Sequence, residues 1–349
     1  LGDRANTTKS AAARPRHVHI LGAGIAGASA ARAFAARGCS VTVIAPSGIA
    51  DGASGIPAAA VRPRLWRPSA QAAPDAEILA DAFRWTSCWL GANAPTRYRR
   101  CGVLICAVDP EDAIKVRAQA ENPATADVAQ WCAADAASKR AGIQLPFGAA
   151  WIPSGGCVDL RGLVHDLLSG ENIEVRREPL DQRPDLTIDA RARVANGEVV
   201  RGQAIGVKLS TSTPQTVLCT NGYLCPPGPD GLAWLGSTYD RHDDQTDERP
   251  EDDARILSRF DGLPALANAL RRAPTTRRFV GVRASTPQRL ARVGFAAADH
   301  AVSVGHGSRG AVTGPWAGEL LAAAAFGETL PIASRHWSRL QSRARPRGE

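Results

Sequence analysis

What the 349-residue chain lacks narrows it first. No apolar run approaches the roughly 20 residues needed to span a bilayer, and no charged-then-apolar leader precedes a small-residue cleavage site. Neither a membrane-spanning nor an exported protein is therefore expected, and the expected compartment is the cytoplasm. The eight cysteines include no CxxC pair, so they read as reduced, mostly buried thiols and not as a disulfide framework or a zinc site. Only four of the 42 basic residues are lysine. The net charge of +8 is thus largely arginine's, and it permits an anionic partner such as nucleic acid. An Ala- and Arg-rich composition accounts for the same charge without one. Methionine is absent altogether, which is improbable at average usage, so the motif spacings below carry a tolerance of one residue.

The strongest positive signal is the order strand, glycine turn, helix, strand over 17–45. His17–Leu21 is a short β-branched run, Gly22-Ala23-Gly24-Ile25-Ala26-Gly27 follows at once, and Ala28–Arg37 leads to Val41-Thr42-Val43-Ile44. A dinucleotide-binding βαβ unit needs this order. Its first glycine makes the turn, the second admits a pyrophosphate, and the third lets helix and strand pack closely. The acid that NAD enzymes place after the second strand is missing, because Ala45-Pro46-Ser47 stands there. A second small-residue loop, Asp51–Ala60, contains Ala53-Ser54-Gly55 and argues for a ligand larger than NAD.

Further along, the patterns predict helices over 74–90, 110–120, 128–140 and 160–168, and strands over 101–108, 173–177 and 185–190. A β-rich stretch covers 202–240, with strands at 204–209, 216–220 and 232–239. The acidic run 241–253 opens a helix reaching Phe260, and a helix over 263–272 and a strand over 277–284 follow. Val302-Ser303-Val304 feeds Gly305-His306-Gly307-Ser308-Arg309-Gly310 before a helix over 314–326. Residues 1–16 read as a flexible tail or linker, and the basic end beyond Leu340 as a frayed tail.

Four of these marks occur together in one group: the 22–27 turn, the Gly52–Gly55 loop, Gly155-Gly156-Cys157-Val158-Asp159-Leu160, and the 305–310 loop. The chain resembles the FAD-dependent D-amino-acid-oxidase superfamily, which includes glycine and sarcosine oxidases. Narrower motifs are Arg201-Gly202-Gln203, Cys219–Pro226, Leu235–Asp240, Asp243–Asp253 and Val282–Pro287. Through them it resembles the oxidoreductase half of the bifunctional tRNA 5-methylaminomethyl-2-thiouridine biosynthesis proteins. Departures include Ile56 where that family commonly has Asn, and Gln288 and Ala291 after Thr286-Pro287.

The resemblance implies an α/β fold in which a Rossmann-like FAD-binding domain (17–95, 146–200, 284–340) is interleaved with an antiparallel-sheet substrate domain (96–145, 201–283). It implies FAD held by Gly22, Gly24, Ile25, Ala26, Gly27, Ala53, Ser54, Gly55 and the loop Gly305, His306, Gly307, Ser308, Arg309 and Gly310. The C-terminal third has no cysteine to form a thioether from that region, so non-covalent FAD is expected. Arg283 and Arg309 are candidates to hold a substrate carboxylate, Tyr223 and Tyr239 to line a pocket, and His306 to act as a base. For tRNA, a footprint of Arg62, Arg64, Arg67, Arg97, Arg99, Arg100, Arg271, Arg272, Arg277 and Arg278 is expected. The implied reaction oxidises the carboxymethylaminomethyl group of the wobble uridine, and a fused or separate methyltransferase is the implied partner. An oxidase of free amino acids or N-methylglycines, and a non-catalytic tRNA-binding flavoprotein, remain alternatives.

Overall fold

The structure, a computed structural model, describes residues 14–67, 73–179, 181–194, 197–211 and 213–344. Residues 1–13 and 345–349, where most of the two expected tails fall, lie outside that set. The chain divides into two compact units: 1–55 with 160–200 and 283–349, and 56–159 with 201–282. Stretches 56–95 and 146–159, expected in the FAD-binding domain, fall in the second unit. Sheet pairing accounts for this: strands Ala59–Val61 and Tyr98–Arg99 both bond to Gly156–Val158.

The first unit is a six-stranded sheet. His17–Leu21 lies between Ser40–Ile44 and Leu186–Asp189, parallel to both, with Ile173–Arg176 and His300–Val304 continuing the parallel set. Arg292–Ala297 closes one edge antiparallel. Buried Val18, Ile20, Val41, Val43 and Ile188 give these strands the near-continuous apolar character of a sheet covered on both faces. Helix Ile25–Ala35 packs on helices Leu160–Leu168 and Gly310–Phe326. The last of these is predominantly apolar and, apart from Glu319, buried over Ala311–Ala323. Its Gly310, Gly314 and Gly318 recur every four residues, and a Cβ on Gly318 would come within 2.5 Å of the Ser29 backbone. Small residues on that stripe let the two helix axes approach closely.

Three expectations are corrected here. The 128–140 stretch is not one helix: Gln130–Cys132 is a strand paired with Ala149–Trp151, and the helix is Ala134–Ala141. Trp131 suits a sheet better than a helix, so cross-strand pairing overrides the surrounding alanines. The last long helix begins at Gly310 and runs through Pro315, whose missing N–H removes one backbone hydrogen bond without ending it. Helix Ser334–Ala344 also extends past Leu340, into the expected tail, with its Gln341 bonded both ways to Phe295.

The second unit holds a nine-stranded, mainly antiparallel sheet and a three-stranded one. Leu104, Ile205, Leu218, Leu224 and Leu235 on the larger sheet meet Ile256, Phe260, Leu266 and Leu270 of the 252–272 helical segment. The 10-residue strand Glu198–Val207 is buried from Val200 onward.

Candidate cofactor site and the buried charge cluster

At the carboxyl end of the first unit's parallel strands, three loops meet. Gly22 has φ +105° and accepts no side chain easily, since a Cβ would sit 3.1 Å from the Ala190 carbonyl oxygen. The Gly22 N–H donates to the Ile44 carbonyl at 2.9 Å, which fixes the turn between neighbouring strands. Gly27 is under a tighter constraint: a Cβ there would lie 1.9 Å from the Gly22 carbonyl oxygen. Beyond the turn, helix Ile25–Ala35 starts at Gly24 with no side-chain cap of its own. Instead, Ser54 from the second small-residue loop accepts the Ile25 N–H at 3.0 Å. The remaining N–H groups of that first turn have no helix carbonyl to reach and carry the positive end of the helix dipole.

The third loop is 305–310. Gly305 has φ +74°, and a Cβ would clash with Thr286 at 2.7 Å. A Cβ on Gly310 would lie 3.2 Å from Ile25, so the starts of the 25–35 and 310–326 helices stand side by side. Two positive helix ends, a side-chain-free turn and a capping serine thus share one strand end. That donor set and free space fit the pyrophosphate and the electron-rich edge of a flavin dinucleotide.

His306, half-buried by surface, is held within this loop. Its Nδ1 lies 2.7 Å from Thr313 Oγ1, and its Nε2 lies 3.1 Å from Ser303 Oγ. Thr313 Oγ1 also lies 3.0 Å from the Arg309 carbonyl, so it ties the ring to the turn backbone. Desolvation of the ring pushes its pKa down to about 4, against a smaller opposing effect of the Ser303 backbone. The imidazole is thus neutral at pH 7, and both of its nitrogens are engaged in bracing the loop.

Of the other candidates, Arg309 belongs to the same loop and donates to the Arg289 carbonyl at 3.0 Å. Arg283 is half-buried in strand Thr275–Ser285. Gly55 closes the short 3-10 turn Ala53–Gly55. Tyr223 and Tyr239 belong to the second unit: Tyr223 begins strand Tyr223–Cys225, and Tyr239 is exposed, with the Arg241 guanidinium 5.7 Å above its ring.

Several motifs in the second unit meet in a buried charge cluster. Arg201, 0% exposed, donates to Asp252 at 2.7 Å, to Gln203 at 3.0 Å and to the Asp247 carbonyl at 2.7 Å. Gln203 reaches the Arg249 carbonyl and accepts the Arg249 N–H, both within 2.8 Å. The acidic segment is thereby fastened to the sheet. Asp240 lies alongside; burial pushes its pKa up, but the Arg255 guanidinium and the Thr238 hydroxyl outweigh this and hold it below the usual carboxylate range. Sequence reasoning missed Arg259, which donates to the Asn221 carbonyl at 2.7 Å and accepts the Thr220 hydroxyl at 2.6 Å, bracing the Thr220–Gly222 turn. It also missed the Ser303–His306–Thr313 chain, where two hydroxyls flanking a loop histidine were the available signal.

Comparison with known proteins agrees with this geometry. Among solved structures, glycine oxidase from Geobacillus kaustophilus superposes with a TM-score of 0.77 at 18% identity over 96% of this chain and 100% of its own. Iminodiacetate oxidase from Chelativorans sp. BNC1 gives 0.74 at 22% identity over 93% of this chain and 98% of its own. At these identities the likeness speaks for the fold. The tRNA 5-methylaminomethyl-2-thiouridine biosynthesis bifunctional protein MnmC of Azoarcus sp. is 30% identical over 382 residues, covering 92% of this chain. That of Chromohalobacter salexigens is 29% identical over 389 residues, again 92% of this chain. The chain spans 58% and 55% of the length of these two curated relatives. The pattern of the family described as FAD dependent oxidoreductase (DAO) matches residues 17–170 and 184–324, and the chain belongs to that family of FAD-dependent enzymes.

Proposed function

We propose that this chain oxidises the C–N bond of the 5-carboxymethylaminomethyl group on the wobble uridine of tRNA. Glyoxylate leaves and 5-aminomethyluridine remains. The observation that carries this reading is the pairing of a flavin-shaped strand end with relatives named for tRNA thiouridine biosynthesis, about 30% identical across 92% of the chain.

When bound, the flavin supplies the acceptor for the hydride from the carbon next to the amine. The chain's own residues do the rest. Gly22–Gly27 and the start of the 25–35 helix hold the pyrophosphate non-covalently, with Ser54 fixing the first turn. The 305–310 loop presents backbone N–H groups and the positive end of the 310–326 helix, which favour negative charge where the reduced cofactor develops it. Held neutral between Ser303 and Thr313, His306 positions that loop and is the candidate base. Arg283 and Arg309 are the guanidinium groups suited to the substrate carboxylate, and Tyr223 and Tyr239 are pocket candidates.

The test is anaerobic. Yellow, FAD-loaded protein is mixed with tRNA bearing carboxymethylaminomethyluridine, or with sarcosine, while the flavin absorbance is followed. Bleaching by the modified tRNA with glyoxylate in the supernatant is expected. Bleaching by sarcosine alone overturns the reading in favour of a small-amine oxidase, and bleaching by neither leaves a binding protein.

A further inference from the structure

The ten arginines that sequence suggests for a polyanion footprint are not equivalent. Arg97 bonds Asp159 at 3.0 Å, Arg278 bonds Asp253 at 2.7 Å, Arg277 lies 3.9 Å from Asp230, and Arg271 is paired with Asp261. Arg99 spends its guanidinium on the Pro226 and Pro227 carbonyls at 2.8 and 3.0 Å. Arg62, Arg64, Arg67, Arg100 and Arg272 have no carboxylate within 4.0 Å among the described residues. An arginine paired with a carboxylate gains less on meeting a phosphate, so these five, with Arg99, whose partners are uncharged carbonyls, carry the charge most available for binding; Arg62, Arg64 and Arg100 are the three that cluster.

The three-stranded sheet groups them. Strands Ala59–Val61 and Tyr98–Arg99 flank Gly156–Val158, both antiparallel to it, with Val61 opposite Gly156 and Arg99 opposite Cys157. The chain therefore leaves both outer strands at the same end of the sheet, into Arg62 on one side and Arg100 on the other. Two strand spacings, about 10 Å, separate these exits. Between them lie buried Gly155 and Gly156, with the Val61 and Arg99 carbonyls packed where side chains would stand. The frame is firm. Tyr98 is buried with its hydroxyl donating to the Ser154 carbonyl at 2.7 Å, and buried Pro63 and Leu65 flank exposed Arg64. Arg62 is half-buried, with one guanidinium N–H on the Pro63 carbonyl at 3.3 Å and the group also hydrogen-bonded to the buried Cys219 thiol.

We infer that Arg62, Arg64 and Arg100, at one end of the three-stranded sheet, form a phosphate-binding surface for a polynucleotide backbone. The inference rests on the reading above that the substrate is a tRNA, and it names where the phosphates lie. Phosphate contacts position the RNA, whereas selection of the uridine belongs to other groups.

Binding and chemistry are measured separately. FAD-loaded protein is titrated with unmodified tRNA across a salt series, and flavin bleaching is read on modified tRNA. The triple variant Arg62→Ala, Arg64→Ala, Arg100→Ala is compared with Arg117→Ala, Arg176→Ala, Arg183→Ala, which loses the same charge from ion-paired positions. The first is expected to lower the slope of log K against log salt by about 2–3 and to weaken binding at low salt by more than tenfold. The second is expected to change the slope by less than about 1, and the Arg→Lys triple to keep most of the affinity. Equal losses in both alanine triples, no tRNA binding by the parent chain, or tighter binding to anionic phospholipid vesicles than to tRNA each overturn the surface. Binding that obeys the prediction without bleaching by modified tRNA supports the surface and overturns the proposed reaction instead.

Discussion

The glycine-lined strand end of the first unit and the Arg201 cluster of the second are both built from motifs that stand out in the sequence, yet they work by opposite means. The first depends on side chains that are missing. Backbone meets backbone at Gly22 and Gly27, and the donors left over are main-chain N–H groups. The second depends on long charged side chains taken out of water and matched to one another: Arg201 with Asp252, Gln203 with the 249 backbone, Arg278 with Asp253. One leaves main-chain donors unspent, and the other turns its charged groups mostly on one another, with Arg201 Nε and Asp240 Oδ2 buried without a hydrogen bond. A conspicuous motif therefore reports a tight constraint, and its unspent donors decide whether that constraint serves a ligand or the fold.

Gly27→Ala is the most severe way to test this. The added methyl meets a backbone oxygen that cannot move without breaking the turn, beyond the roughly 1–3 kcal/mol of ordinary overpacking. We expect no yellow protein from the variant, read as the ratio of flavin to protein absorbance; full flavin content breaks the account of the turn. Arg201→Met comes next. Removing the buried Arg201 leaves Asp252 with Arg255 as its partner and takes a donor from Gln203 and from the Asp247 carbonyl, at a cost of up to about 3–5 kcal/mol in denaturant unfolding. Because this cluster serves the fold, flavin content in the native protein should hold, and adding Asp252→Leu should recover part of the loss. A single variant that sheds flavin at unchanged stability would make the cluster a ligand site and erase the contrast.

The structure was legible in the sequence wherever local and tertiary preferences agree. Helix Leu160–Leu168 and the whole 17–44 unit follow the expected positions, because the glycine turn, the β-branched strands and the alanine-rich helix point the same way. The 128–140 helix and the start at 314 were misplaced where a local signal was overruled, by pairing to Ala149–Trp151 in one case and by packing around Pro315 in the other. At the candidate site, the glycine positions could be read from spacing. The Ser54 cap and the Ser303–His306–Thr313 chain could not, since they depend on which loops the sheet order brings together.

His306→Gln gives the smallest effect and tests the loop's own chemistry. The folded pKa, about 4, lies below the unfolded value near 6.5, so the unfolded chain binds more protons between them. Stability owed to the neutral ring is fully present above pH 6.5 and is lost as pH falls toward 4. The variant should remove roughly 1–2 kcal/mol of that slope in unfolding curves between pH 7 and 4 while keeping its flavin at pH 7. An unchanged slope would show a ring open to protonation, and the loop would then resemble neither region.

The glycine stripe at 310, 314 and 318 also bears on how the chain is made. The helix that seats against Ile25–Ala30 is encoded almost a whole chain length after it, with the second unit's segments emerging in between. At about 5–20 residues per second, the nascent βαβ turn waits on the order of 15–60 s for the helix that completes its shelter. During that interval the alanine-rich face of the 25–35 helix is exposed to whatever else the ribosome has delivered. Synthesis order thus makes the 17–44 element, made before most of this sheet, one of the last to be finished.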